Sequence, residues 1–186
     1  MECENMKGKV ADQGEEFFVT GIEKYVDAVS AVTMFEKEVQ RRVKEVVARH
    51  QSELAKLFGG GWSLRDYRES GTPDWVCLGQ QVVFKSSGVL YLYFYFGRDE
   101  ATGPCVAPVA MFWRERVTLL NRLWTEVEKI QAPKPDVDNS RISLEGSVAS
   151  NDWASCEKAL NAVICDWIEL WQKLGGLPKY LPRKSR

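Results

Sequence analysis

Three apolar runs stand in series in the middle of the chain: Trp75–Phe84, Val89–Phe96 and Cys105–Trp113. Short gaps bearing Gly and Ser separate them. Gaps this short join antiparallel neighbours, because a parallel crossover needs roughly a dozen residues or more. The pattern predicts a three-stranded antiparallel meander, with Lys85-Ser86-Ser87-Gly88 as its first link and Gly97 to Pro104 as its second. Pro108 has no N–H to give to a ladder, which predicts an edge position or a bulge in the third run. Trp62 to Glu69 is a candidate short edge strand.

Upstream of the meander the period changes to that of a helix. Tyr25, Val29, Val32, Phe35, Val39, Val43, Val46, Leu54 and Leu57 recur at steps that keep one face apolar. Thr20 with Glu23 forms a capping box at the start, and Gly59-Gly60-Gly61 closes the run. Unbroken, this helix is ~57 Å long. Thr33-x-x-Glu36 offers a second start, but the apolar phase passes through it, which predicts a continuous or gently bent helix. Val29, Phe35, Val39, Val43 and Val46 are expected to be buried. Residues 1–19, interrupted by Gly8 and Gly14, read as a flexible arm.

Downstream, Arg114 to Ile130 carries a second helical stripe, and Pro133 and Pro135 mark a loop from Gln131 to Ser140. Arg141 to Val148 reads as a further strand. Ser150 or Asn151 then caps a last helix bearing Trp153, Leu160, Ile164, Trp167, Trp171 and Leu174, which stops at Gly175-Gly176. The order predicts an α+β fold. It is an antiparallel meander, with one or two further strands, packed by a long N-terminal helix and two later helices. A single domain over residues 20–178 is expected, followed by a basic tail over residues 179–186.

Composition narrows the function classes. The 186 residues suffice for one sizeable core, and 45% hydrophobic content argues against disorder. The net charge of −1 removes the global basic excess expected of a nucleic-acid binder and leaves only local binding open. No apolar run approaches the ~20 residues that span a bilayer, and the acidic start Met1-Glu2-Cys3-Glu4 lacks a signal-peptide core. A cytoplasmic location is expected. Five cysteines, widely spaced and without a C-x-x-C pair, read as free thiols; Cys77, Cys105, Cys156 and Cys165 are expected to serve as small buried hydrophobes.

Two groups of residues carry candidate chemistry. Strand alternation puts Tyr91, Tyr93 and Tyr95 on one face, opposite Leu92, Phe94 and Phe96. An exposed tyrosine row is a binding surface for a partner loop, a base or a sugar; covered by helices, the same row is core margin. The second group comes from the hairpin. A tight turn at Ser86-Ser87 sets Asp74 across from Asp99, with Glu100 adjacent, and such carboxylates suit a divalent metal or an acid–base pair. The same acids also suit solvated turns.

Pro73-Asp74 and the in-strand Lys85 invite comparison with the PD-(D/E)xK nucleases, which share the order helix, three strands, helix, strand. Val83 stands where those enzymes need an acid, so the residues do not carry that activity. His50 is the sole histidine and falls in phase with Val46 and Leu54, which suits a packed or boundary role. No Walker loop, G-x-G-x-x-G, G-x-S-x-G or H-E-x-x-H occurs. The expectation is a small soluble macromolecule-binding protein, such as an inhibitor, an immunity-like protein or an adaptor, without catalysis or cofactor. Its partner would be another protein or a second copy. The alternative is a metal-dependent hydrolase or nuclease-like enzyme built on the carboxylates Asp74, Asp99 and Glu100 at one end of the sheet.

Overall fold

The computed structural model describes residues 3–59, 62–71, 75–84, 88–99, 103–113, 121–138, 140–150 and 152–180. The chain divides into two compact units, Met1–Glu38 and Val39–Arg186. The helix α1 (Cys3–Arg49) supplies the first unit and opens the second.

Two expectations for this helix change. It is already helical at Cys3, so Thr20 and Glu23 lie inside it and do not cap it. Its continuity also ends sooner. His50 stands as a single turn residue before α2 (Gln51–Phe58), and the amides of Glu53 and Leu54 both donate to the His50 carbonyl. The apolar phase survives this break because only one residue intervenes.

In the first unit Ile22, Tyr25, Val26, Val29, Val32 and Phe35 are exposed, with Val29 at 46% and Phe35 at 50%. The expected burial of Val29 and Phe35 is therefore corrected. Periodicity identifies a common face but not where the covering surface stops. In the second unit Val39, Val43 and Val46 are buried, joined by Val47.

The second unit is built on one antiparallel sheet in the order β1-β2-β3-β4-β6-β5. Its strands are β1 (Trp62–Ser70), β2 (Val76–Phe84), β3 (Gly88–Asp99), β4 (Gly103–Trp113), β5 (Asp136–Val137) and β6 (Arg141–Glu145). The meander forms as expected, and β1 is an edge strand. β5 is an addition that the proline-marked loop did not announce. Pro108 lies just past the last β4–β6 pair, Val109 with Glu145, and its carbonyl accepts from the Gly146 amide. β4 lies between β3 and β6 and its pairing with β3 runs unbroken through Pro108, so the expected edge strand or bulge is not found there.

The first hairpin is shifted by one residue from the expected register. Val76 pairs with Phe96 and Phe84 with Gly88. This register puts Leu78, Gln80 and Val82 of β2 beside Phe94, Leu92 and Leu90 of β3 on one face. The alternative would have placed Gly79 and Gln81 there, and lost the burial that fixes register.

That face carries the core. Leu78, Val82, Leu90, Leu92, Phe94, Ala110, Phe112 and Ile142 pack with α4 (Trp153–Leu174), with α2 and with the end of α1. α3 (Asn121–Val127) adds Leu123 and Val127. Trp167 and Trp171 are fully enclosed, and Phe58, Phe112 and Trp171 form a ring cluster with centroids 4.6 and 5.4 Å apart. α4 is capped by Asp152, whose carboxylate accepts from the Ser155 amide at 2.9 Å, and it ends on left-handed Gly175. The cap is thus one or two residues later than Ser150 or Asn151. His50 is a boundary residue, with Nε2 2.9 Å from Asn161 Oδ1 of α4. Cys77 and Cys156 are buried, as expected, but Cys105 is half-buried and Cys165 is exposed on the outer side of α4; all four are free thiols.

Candidate functional site

Every buried apolar side chain of the described helices joins the core on one face of the sheet. The opposite face receives none of them. By alternation it bears Tyr67 of β1, Cys77 and Gly79 of β2, Tyr91, Tyr93 and Tyr95 of β3, Val109 and Met111 of β4, and Arg141, Ser143 and Glu145 of β6. The tyrosines are half-buried, and Trp113, on the same face, is 42% exposed.

The rings support one another. Tyr67 stands edge-on to Tyr91 and Tyr93, with centroids 4.8 and 5.4 Å away. Gly79 lies between Tyr67 and Tyr93 in the same cross-strand row. A Cβ at Gly79 would come within 2.3 Å of the Leu92 carbonyl oxygen, so this position accepts no side chain without moving β3. Tyr95 lies along its own strand over Gly97, where an added Cβ would meet the ring at 2.4 Å. Trp75 stacks on Tyr95 at 6.2 Å. The row is thereby held in place by pairwise packing and by two glycines that clear room for it.

Polar groups on this face are held in defined states. The Tyr67 hydroxyl donates to Glu69, and Gln81 Nε2 donates to the Tyr91 hydroxyl at 3.1 Å. Burial pushes the Tyr67 phenol well above its ordinary range, and the hydrogen bond to Glu69 adds to the rise. Burial likewise raises the Tyr93 phenol. Both remain protonated donors at physiological pH. Burial, with the nearby Glu69 charge, pushes the Cys77 thiol up to about 12, which leaves it without thiolate character.

Beside the row is a cavity of about 440 Å³. Tyr93, Tyr95, Val109 and Met111 form its sheet-side wall. Lys134 and Asp136, from the segment around β5, and Arg141, Ser143 and Glu145 of β6 supply the polar side. Arg141 is engaged: its Nε is 2.6 Å from Asp138 Oδ2. Asp138 is itself fixed, its Oδ1 accepting from the Ser140 and Arg141 amides at 2.7 and 2.9 Å.

Of the residues singled out from the sequence, Tyr93 and Tyr95 line this cavity and Tyr91 stands in the adjoining row. Asp74 and Glu100 lie outside the described residues, as does the side chain of Asp99, whose backbone pairs with Gly103. Among the described residues no group of three or more His, Cys, Asp or Glu side chains is placed to share a metal ion. Sequence reasoning did not find Tyr67, Met111, Asp136 or Glu145. The available signal was the alternation of β1 and β6, which assigns each of their residues to a face once the strand order is known. Among the described residues no helix is long and apolar enough to cross a membrane. No family model, no curated protein and no solved structure matches the chain.

Proposed function

We propose that this chain is a macromolecule-binding protein of the cytosol, of the inhibitor, immunity or adaptor kind, and that it grips a partner protein with the tyrosine face of its sheet. The observation that carries the reading is the asymmetry of the sheet. One face takes all the buried apolar side chains of the described helices, while the other presents a supported row of half-buried tyrosines and the half-exposed Trp113 around a concavity lined by buried Val109 and Met111. Tyrosine, tryptophan, methionine and arginine are the residues enriched where proteins bind proteins. A phenol gives apolar area together with a hydrogen-bond donor, at the entropy cost of two torsions. The rings here are packed before any partner arrives, which reduces the ordering cost of association. The free, dispersed thiols support a reducing compartment.

The test is capture of partners from the native host under reducing conditions, with the intact chain and with a Tyr91→Ser/Tyr93→Ser variant of matched melting temperature. The expected result is one dominant partner held by the intact chain and reduced at least tenfold with the variant, since central aromatic anchors are worth about 2 kcal/mol or more each. Equal recovery of that partner by the variant refutes the tyrosine face as the binding surface.

A further inference from the structure

We propose that the cavity beside Tyr93 receives an arginine side chain of the partner, an inference that rests on the macromolecule-binding reading above. The charges of the lining argue for a cation. Arg141 is neutralised by Asp138, and Asp138 is held toward it by the backbone amides of Ser140 and Arg141. An anionic guest would share Arg141 with Asp138 and would face two further carboxylates. The remaining charges are the carboxylates of Asp136 and Glu145 against the single ammonium of Lys134. Neither Asp136 nor Glu145 has an ion-pair or hydrogen-bond partner among the described residues. Glu145 lines the cavity with Tyr93, and the charges of both Arg141 and Glu145 reach the Tyr93 phenol.

The rings argue for arginine over other cations. A guanidinium is planar and weakly hydrated, lies flat on an aromatic face, and offers five donors to carboxylates. Tyr93 and Tyr95 supply the faces, Met111 a polarisable wall, and Asp136 and Glu145 the acceptors. The volume of about 440 Å³ falls within the range of pockets that enclose a whole ligand group. The Tyr93 hydroxyl and Ser143 also line this space and can meet the backbone that carries the arginine.

Met111 provides the probe. The chain has four methionines, so full-length protein labelled at the methionine methyl carbons gives few signals, and Met111→Leu identifies the one in the cavity. The ligands are N-acetyl-arginine amide, its neutral isostere N-acetyl-citrulline amide, and N-acetyl-aspartate amide. The expected result is a saturable shift of the Met111 signal with the arginine compound alone. Glu145→Gln and Asp136→Asn should each weaken it about fivefold, the loss of one charge-assisted contact. Equal response to citrulline, preference for aspartate, or an unmoved Met111 signal overturns the proposal. The two readings separate cleanly. An unmoved Met111 signal, with a partner that is still lost in Tyr91→Ser/Tyr93→Ser, removes the arginine and keeps the face. Arginine binding, with a partner that the tyrosine variant retains, shows a small-cation site and removes the macromolecular one.

Discussion

Replacing Gln80 by Glu should make the stability of this protein depend on pH in a way the native chain does not. Among the described residues Gln80 is the one buried polar residue, fully enclosed on the helix side of β2. Its Nε2 donates to Asp66 Oδ1 at 2.8 Å and to the Gln40 carbonyl at 3.2 Å. Gln40 Nε2 in turn donates to the Tyr67 carbonyl at 3.3 Å, so these amides tie the end of α1 to β1 and β2. A glutamate there would ionise in a dry site beside Asp66. A carboxyl that titrates near 4.3 in the unfolded chain is lifted by ~3 units or more when fully buried. The folded pKa is then raised to about 7 or above, so the folded state binds the extra proton. Stability relative to the native chain is highest below about pH 4 and falls by ~1.4 kcal/mol per pH unit above it. At pH 7 the cost reaches about 4 kcal/mol. A residue of about 1 kcal/mol persists in acid, because a protonated carboxyl has one donor where the amide has two.

Gln80→Leu separates charge from hydrogen bonding. It loses both donated bonds but also removes Oε1, which has no partner among the described residues. Burying that oxygen costs about 1–3 kcal/mol, comparable with the bonds lost, and exposed Asp66 can turn to water. The leucine variant should lie within about 1 kcal/mol of the native chain at every pH. Urea unfolding followed by tryptophan fluorescence at pH 4.5, 5.5 and 7 measures all three proteins. A glutamate variant whose deficit is the same at pH 4.5 and pH 7 would show that water reaches position 80, and would refute the argument.

Two further outcomes follow from the packing. Phe35→Ala, on the exposed face of the first unit, should cost under about 1 kcal/mol in urea unfolding, while Val43→Ala, fully buried in the second, should cost about 2 kcal/mol; the reverse order would place the cover of α1 at the wrong end. Glu126 accepts from the Tyr180 hydroxyl at 2.6 Å, from Lys179 Nζ at 2.9 Å and from Arg122 Nε at 2.8 Å, which lowers its pKa to about 2. The stabilisation it confers is present above about pH 4.5 and lost as pH falls toward 2. Glu126→Gln should therefore be less stable than the native chain at pH 7, with a gap that closes in acid. A gap that stays constant from pH 7 to pH 2 would contradict the pairing.

The meander was legible because apolar runs with short links admit one local pairing. Its register was legible too, though only from the strand itself. Leu78 and Val82 alternate with Gly79 and Gln81; pairing Leu78 with Phe94 buries both apolar sets together, and a slip of one residue separates them. Counting from the turn misplaces that register by one. The helical phase of α1 was legible across Ile22 to Val46, but phase says nothing about length of cover, so Val29 and Phe35 differ from Val43 and Val46. The cavity was not legible. Its acids and cations come from Lys134, Asp136 and β6, and they meet Tyr93 only because β6 returns to pair with β4. That contact crosses a helix and a loop in sequence, and no local period encodes it.

The position of hydroxyls along β3 explains why the sheet is one-sided. Leu90, Leu92 and Phe94 face the helices, and Tyr91, Tyr93 and Tyr95 face away. By area alone either set would serve as core. What sets the tyrosine row apart is a hydroxyl on every side chain. On the helix face a phenol would lie among Trp167, Trp171, Phe112 and the aliphatic residues of α4, where an unpaired hydroxyl costs free energy. On the other face Tyr67 reaches Glu69 and Tyr91 meets Gln81. A strand that alternates phenol with hydrocarbon therefore states which side its helices cover. It also states that the other side must keep polar company, whether from its own neighbours or from what binds there. The sheet supplies such neighbours in part, through Glu69 and Gln81.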